Sequence, residues 1–363
     1  MFRIRSLSIA TWMVLCSCTE QKPPQDNTQD SPTLTDTALN NEPNDSAETD
    51  SNPNEDNVED TGAHTSEPSN EQHQDLDALN QHFSNHFQTW LANSYYNDSD
   101  LTRLDLQGGS FGGFIDETYP LDHEPVLFIH GNSDRSIGGV LGGWTTQRNH
   151  FLEMGFNNAE LYATTYGPAD SLYAINYRHD AQTLKHIRDF IEAVLAYTGA
   201  TKIDIVTHSL GVTLTRKAIL GGSFTDANQT TIQLGDPLTD RVDTFIGIAG
   251  ANQGLASCIG SVAPTCSGID GLYPGTLLAF EVTGQSQILQ SINNQTAYEA
   301  EHRYSIWSQA DEVLGFGCIV WGVNTARIPS QTNEKLYISK SHLDLKEDTA
   351  EIVYAMTQEH RIP

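Results

Sequence analysis

The residues best placed for chemistry lie in Ile203-Asp-Ile-Val-Thr-His-Ser-Leu-Gly211, where an apolar run meets a helix-forming run at Ser209. A serine between strand and helix, with a small residue two positions later, has the geometry of a nucleophile elbow. The turn is sharp enough to strain the serine backbone. Its Oγ then stands clear of the sheet, and the helix N-terminus aims free N–H groups at a reacting carbonyl. The chemistry would be acyl transfer. Thr207 stands where this motif usually has its first glycine, and a β-branched side chain crowds such a turn.

A serine needs a base and an acid, which follow such an elbow in the order acid, then histidine. Beyond Ser209 the remaining histidines are His302, His342 and His360. His342 follows an expected strand, Leu336-Tyr-Ile-Ser339, and precedes the terminal helix, so its loop can swing over the elbow. His302 starts a strand instead, and His360 lies in a terminus expected to fray. The acid is expected at the end of the preceding strand, and Tyr304-Ser-Ile-Trp-Ser-Gln-Ala-Asp-Glu312 offers a strand ending in Asp311, with the adjacent Glu312 pointing elsewhere. Asp270 and Asp344 are its rivals, although Asp344 reads more simply as an N-cap of the last helix. Upstream, Val126-Leu-Phe-Ile-His-Gly-Asn-Ser-Asp134 is an apolar strand running into His130-Gly131. The backbone N–H groups of Asn132 and Leu210 are expected to hold the developing oxyanion, a contribution of up to about 3 to 4 kcal/mol per donor. His130 precedes the nucleophile and is read as structural.

The elements that must carry these groups alternate. A helical pattern begins near Leu76, with Leu79, Phe83, Phe87, Trp90 and Leu91 at spacings of three and four. Strands are expected at Val126–Ile129, Ala159–Thr164, Ile203–Val206 and Asp243–Ile248. Helices are expected at Trp144–Met154, His179–Tyr197 and Leu210–Leu220. This alternation predicts an α/β fold with a mostly parallel sheet covered by helices on both faces, in one domain over residues 76–363. Between Gly254 and about Glu299 the periodicity fails, and Leu272-Tyr-Pro-Gly-Thr-Leu-Leu-Ala-Phe280 adds an apolar stretch; loops this long usually have a function, here a cap over the site or an insertion packed on its rim.

Composition bounds the partners. The net charge of −28 comes from 47 acidic against 19 basic residues, which repels phosphate backbones and sets nucleic-acid binding aside. From Thr19 to about Gln74 the chain is mostly Asp, Glu, Asn, Ser, Thr, Pro and Gln, with little to bury, so residues 18–75 read as an extended acidic tether. Arg3 and Arg5 precede an apolar run from Leu7 to Leu15 that is too short to span a bilayer, so residues 1–17 read as an export signal. The run ends in Leu15-Cys16-Ser17-Cys18 and resembles the lipobox of bacterial lipoproteins, which makes Cys18 the lipidated residue and the membrane a partner through its anchor. Thr19, by the same resemblance, leans towards the outer membrane or cell surface. Cys258 and Cys266 are close enough in sequence to bridge, with a bridge to Cys318 as the rival. No histidine or cysteine cluster has structural-zinc spacing, so no metal is expected, and the acyl-transfer chemistry needs no cofactor.

Five separated blocks carry a family resemblance: Gly108-Gly-Ser-Phe-Gly-Gly113, Phe128-Ile-His-Gly-Asn-Ser-Asp134, Leu161-Tyr-Ala-Thr-Thr-Tyr-Gly167, Asp204-Ile-Val-Thr-His-Ser-Leu-Gly-Val212 and Ala249-Gly-Ala-Asn-Gln-Gly254. In their order and spacing they resemble the class 2 lipases of the α/β-hydrolase fold. The resemblance implies a lipase or esterase acting on a lipid or ester substrate, with Ser209, Asp311 and His342 as its triad. Similar blocks occur in some extracellular polyhydroxyalkanoate depolymerases. A non-catalytic surface binding protein and an amidase are the readings from other classes, because a triad alone does not separate an ester from an amide. Replacing Cys18 by Ser is expected to move the protein from the membrane fraction to the soluble one; unchanged fractionation would refute the anchor.

Overall fold

The computed structural model describes residues 81–116 and 121–363. The signal, Cys18, the acidic tether and Leu79 lie outside the described residues. Among the described residues the first helix, α1, is Asn85–Ala92, and residues 81–84 are not helical although the apolar spacing runs through them. Ser84 caps it, its Oγ accepting the Phe87 N–H at 3.1 Å. The Ser84 N–H reaches the Gly112 carbonyl at 2.9 Å, which holds Phe83 extended against that segment. Phe83, Phe87 and Leu91 are buried nonetheless, so the pattern marked the core and missed the helix start.

The chain then runs through β1 (Ser110–Phe111), β2 (Val126–Ile129), α2 (Thr145–Glu153), β3 (Leu161–Thr164), α3 (Ala181–Thr198), β4 (Ile203–His208) and α4 (Leu210–Leu220). After a hairpin of β5 (Ser223–Thr225) and β6 (Thr231–Gln233) comes β7 (Val242–Ile248). Residues 254–299 hold a second hairpin, β8 (Thr276–Leu278) with β9 (Glu281–Thr283), and helix α5 (Gln287–Asn293). The last elements are β10 (His302–Ser308), the pair β11 (Ile319–Val320) and β12 (Val323–Asn324), β13 (Asn333–Tyr337), α6 (Asp344–Glu347) and α7 (Ala350–Gln358). Seven strands form one sheet in the order β1-β3-β2-β4-β7-β10-β13. β1 is antiparallel to β3 and the other neighbours are parallel, so this is the α/β-hydrolase architecture.

Strands β2, β3 and β4 are buried at every position, as strands covered on both faces must be. α3 is capped at both ends, by the Asp180 side chain on the Thr183 N–H at 2.9 Å and by Gly199 at a left-handed φ of 68°. Every residue of α4 is buried, including Arg216 and Lys217. The Arg216 guanidinium spends its donors on Glu299 Oε1 at 2.8 Å, Asn252 and Asn293 Oδ1 at 3.0 Å each, and the Ile292 carbonyl at 2.8 Å. It therefore pins the helix that follows Ser209 to the base of the 254–299 segment. A buried pair like this adds little net stability, but losing one partner costs about 3 to 5 kcal/mol. Cys258 and Cys266 are disulfide-bonded with Cα atoms 5.1 Å apart. Cys318 is a free, buried thiol that donates to the Ser308 carbonyl at 3.2 Å, and burial pushes it up to about 12.

Desolvation holds three histidines neutral, the buried His130 and His179 at about 3 and about 4 and the half-buried His186 at about 3. Their folded values lie below the unfolded one near 6.5, so the unfolded chain binds more protons. Their contribution is complete above about pH 6.5 and is lost as pH falls towards the folded values, at about 1.4 kcal/mol per pH unit for each. His179 bonds the Asp270 carbonyl at 2.9 Å and Thr213 Oγ1 at 2.8 Å. Urea unfolding at pH 7 and pH 5 is expected to show a stability loss that His179→Gln reduces by about 2 kcal/mol. An identical loss in both proteins would show that His179 does not titrate on unfolding.

Candidate active site

Ser209 sits between β4 and α4 at φ 54° and ψ −124°, outside the regions an L-residue adopts without strain. Its N–H reaches the Ile248 carbonyl of β7 at 2.8 Å, and its carbonyl accepts the Val212 N–H at 3.1 Å. The turn leaves no room at two neighbours. A Cβ on Gly211 would come 2.4 Å from the His130 carbonyl oxygen, and one on Gly131 would come 2.9 Å from Ser209 Cβ. The loop after β2 is thereby pressed against the serine.

Thr207 is fully buried and pairs across the sheet with Gly247 of β7, a residue without a side chain to meet it. Its Oγ1 donates to the Ile246 carbonyl at 2.8 Å. The crowding foreseen at this position is relieved by the glycine on the next strand.

On that β2 loop, His130 stacks on Tyr166 with ring centres 4.1 Å apart. Its Nδ1–H donates to the Gly131 carbonyl at 2.7 Å and its Nε2 accepts the Tyr166 N–H at 3.1 Å. It is a structural imidazole. Asn132 anchors its side chain on the Ala174 carbonyl at 2.8 Å and accepts from Ser133 Oγ at 2.7 Å, fixing the peptide that follows Gly131. Leu210 is the first residue of α4, so its N–H is one of the four that have no acceptor within the helix.

His342 lies on the loop between β13 and α6, and its Nδ1 meets Asp311 Oδ2 at 2.9 Å. Asp311 is fully buried on the loop after β10, and its Oδ1 accepts the N–H groups of Val313 at 3.0 Å and Leu314 at 2.8 Å. One carboxylate oxygen is thus held by the loop and the other by the imidazole. Glu312 also serves, since its Oε2 accepts the His342 backbone N–H at 3.0 Å. His208, beside Ser209, donates from Nε2 to the His342 carbonyl at 3.1 Å, with ring centres 4.7 Å apart. Burial holds its pKa well below the ordinary histidine value, so it is neutral. Through His208 the elbow and the histidine loop are in direct contact.

The rival acids are accounted for elsewhere. Asp270 directs Oδ2 to the Ala227 N–H at 3.0 Å and to Arg178 at 3.4 Å. Asp344 is not the N-cap foreseen for it. It exchanges hydrogen bonds with Ser341, Ser341 N–H to Oδ2 at 3.0 Å and Asp344 N–H to Oγ at 3.1 Å, the reciprocal pattern of a capping box. His302 starts β10 as foreseen, but His360 is held at the sheet by Asp243, 2.9 Å away.

A buried ion pair joins the two loops from below. Lys346 of α6 donates to Asp134 Oδ2 at 2.6 Å and to the carbonyls of Leu141 at 2.7 Å and Gly143 at 2.6 Å. Asp134 in turn accepts the Gly143 N–H at 3.2 Å. Lys346 is four residues from His342 and Asp134 two from Asn132, so one contact sets the distance between both loops. Lys346→Met strands the Asp134 charge and is expected to cost about 3 to 5 kcal/mol in urea unfolding. A cycle with Asp134→Asn is expected to show coupling above about 1 kcal/mol, and simple additivity would deny the pairing.

A parallel sheet with a strained serine after β4, and a histidine–aspartate pair on the loops after β13 and β10, defines an α/β-hydrolase. This chain belongs to the class 2 lipase family, whose profile matches residues 123–355. It is similar in structure to Aspergillus fumigatus lipase B at 13% identity and a TM-score of 0.44, covering 73% of this chain and 59% of that one. It is also similar to the Bacillus licheniformis lipase BlEst2 in its propeptide form, at 14% identity and a TM-score of 0.43, covering 68% of this chain and 52% of that one. The chain therefore spans between half and three fifths of the length of these two lipases.

Proposed function

We propose that this protein is an exported lipase or esterase that hydrolyses carboxylic esters of lipid-like substrates with Ser209, His342 and Asp311 as its triad. The observation that carries the reading is the positive φ of Ser209 directly against the loop that holds the His342–Asp311 pair. In this reading Ser209 Oγ attacks the ester carbonyl and passes its proton to His342 Nε2. Asp311 keeps the Nδ1–H tautomer and stabilises the imidazolium. The N–H groups of Asn132 and Leu210 take the oxyanion. His342 then protonates the departing alkoxide, and water, activated by the same histidine, releases the acid from the acyl-enzyme.

Lipid-like substrates are favoured by family membership and by the β8–β9 hairpin, which exposes Leu278, Val282 and an almost wholly exposed Phe280. Exposed apolar clusters of this kind fit contact with an apolar phase. Among the described residues no helix is long and apolar enough to cross a membrane. Attachment to the envelope in this reading rests on Cys18.

Fluorophosphonate labelling followed by turnover on p-nitrophenyl esters, triolein and polyhydroxybutyrate tests the proposal. Ser209→Ala is expected to abolish labelling, and Ser209→Ala and His342→Ala each to cost at least about a thousandfold in turnover, Asp311→Ala somewhat less. More than about a tenth of wild-type turnover in folded Ser209→Ala would refute the nucleophile. Hydrolysis of long-chain esters is expected to rise at an oil–water interface; a polyester preferred over triolein would make the protein a depolymerase instead.

A further inference from the structure

The opposite edge of the sheet, where the parallel strands begin, gathers a second group of chemically able side chains. Asp243 is the second residue of β7, His302 the first of β10, and His360 follows α7. One ligand atom from each lies within 4.8 Å of the other two, and the same holds for Glu124, Asp204 and Asp243. Asp243 thus belongs to both groups. Five donor side chains from five separate stretches of sequence converge on one carboxylate.

We propose that this edge binds one zinc-like divalent cation through Asp243, His302 and His360, with Glu124 and Asp204 as neighbouring carboxylates. The donor set decides the class of ion. Two imidazoles and a carboxylate suit zinc, whereas calcium and magnesium take oxygen ligands alone. Asp243 Oδ1 accepts from Lys202 at 3.1 Å, and its Oδ2 meets His360 Nε2 at 2.9 Å and the Thr244 hydroxyl at 3.4 Å. Two donors around a tetrahedral zinc stand about 3.3 Å apart, so this pair needs to open by only a few tenths of an ångström. The rings of His302 and His360 stack at 3.8 Å and 19°, and because each imidazole lone pair lies in its own ring plane, sharing an ion requires one ring to swing out of the stack.

A further observation points to a ligand at this edge. The Tyr304 hydroxyl, on the same strand as His302 and buried, has no hydrogen-bond partner, and Asp243 is the charge that acts on it. A water completing the coordination of an ion on Asp243 would give such a hydroxyl a partner. The β7 register shift also serves the arrangement. Ile203 pairs with Val242 but Ile205 with Phe245, so two residues of β7 stand against Asp204 alone, and the irregularity re-aims Asp243.

The ion would act on stability rather than on ester chemistry. Ile248, at the far end of β7, holds the Ser209 N–H, and the length of that strand places the cation about 20 Å from the serine. Bound there, it ties the segment after α7, at His360, to the adjacent strands β7 and β10.

The test uses the full chain after chelator treatment, with Zn2+ alone as the probe, by titration calorimetry and thermal unfolding. One ion per chain is expected, with Tm raised by about 5 °C at a hundredfold excess over Kd. The shift is expected to vanish in the His302→Gln/His360→Gln chain and in Asp243→Asn, with circular dichroism unchanged. Substituting Co2+ gives a second readout, since visible bands of a tetrahedral site appear only if the ion is held by these donors. No Zn2+-dependent shift in the natural chain would overturn the proposal. A shift or spectrum that survives loss of both histidines would overturn it too, because the ion would then sit elsewhere, as on the acidic residues before Asp75.

Discussion

A serine held at φ 54° and ψ −124° stores strain of about 1 to 3 kcal/mol, which persists only where its surroundings over-determine it. The surroundings here are specific. β4 is fixed on both sides by β2 and β7, and α4 is buried along its whole length. Gly131 and Gly211 let the β2 loop close on the turn where any Cβ would collide. Even Thr207, the departure from the usual motif, is absorbed by Gly247 across the sheet and by a hydrogen bond to Ile246. The fold can be understood as what is needed to keep one backbone turn in a conformation it would otherwise leave.

The His342–Asp311 pair and Asn132 stand on loops, and loops are poor platforms unless something grips them. Here buried polar contacts do so. Asp311 is locked by two backbone N–H groups, the His342 backbone by Glu312 and His208, and the β2 loop by Lys346 acting through Asp134. Each contact satisfies a group that burial would otherwise leave costly, so geometry and polar satisfaction are obtained by the same bonds.

Much of this was legible in the sequence, and the reason is local. β2 and α4 stand where the sequence places them, because four apolar residues in a row, or an eleven-residue helical run stopped by Gly221, carry their own signal. The elbow, the pairing of His342 with Asp311 and the role of His130 follow from position along such elements. β13 is the edge strand of the sheet and reads poorly, with polar Asn333, Glu334 and Lys335 in it, so the apolar signal starts only at Leu336, three residues after the strand does. The start of α1 was hidden because Phe83 serves the core as well from an extended segment as from a helix. Lys346 and Asp134 are separated by 212 residues, and nothing local in either residue announces the other.

The same topology explains why the donors at the other end of the strands have no characteristic spacing in the sequence. Zinc sites legible in sequence come from ligands a few residues apart on one turn or hairpin. In a parallel sheet every crossover returns the chain to the same edge, so residues that begin successive strands meet however far apart they are numbered. Asp243 and His302 are neighbours for that reason, and Asp204 joins them from β4. Burial, with Glu124 and Asp243 beside it, pushes the Asp204 carboxyl well above the usual range, and Lys202 is committed to Asp243 and Glu301. Convergence at strand starts is thus as much a product of the parallel sheet as convergence at strand ends. The fold gathers polar side chains at both ends of its strands, and only the end that carries a strained turn leaves a motif behind in the sequence.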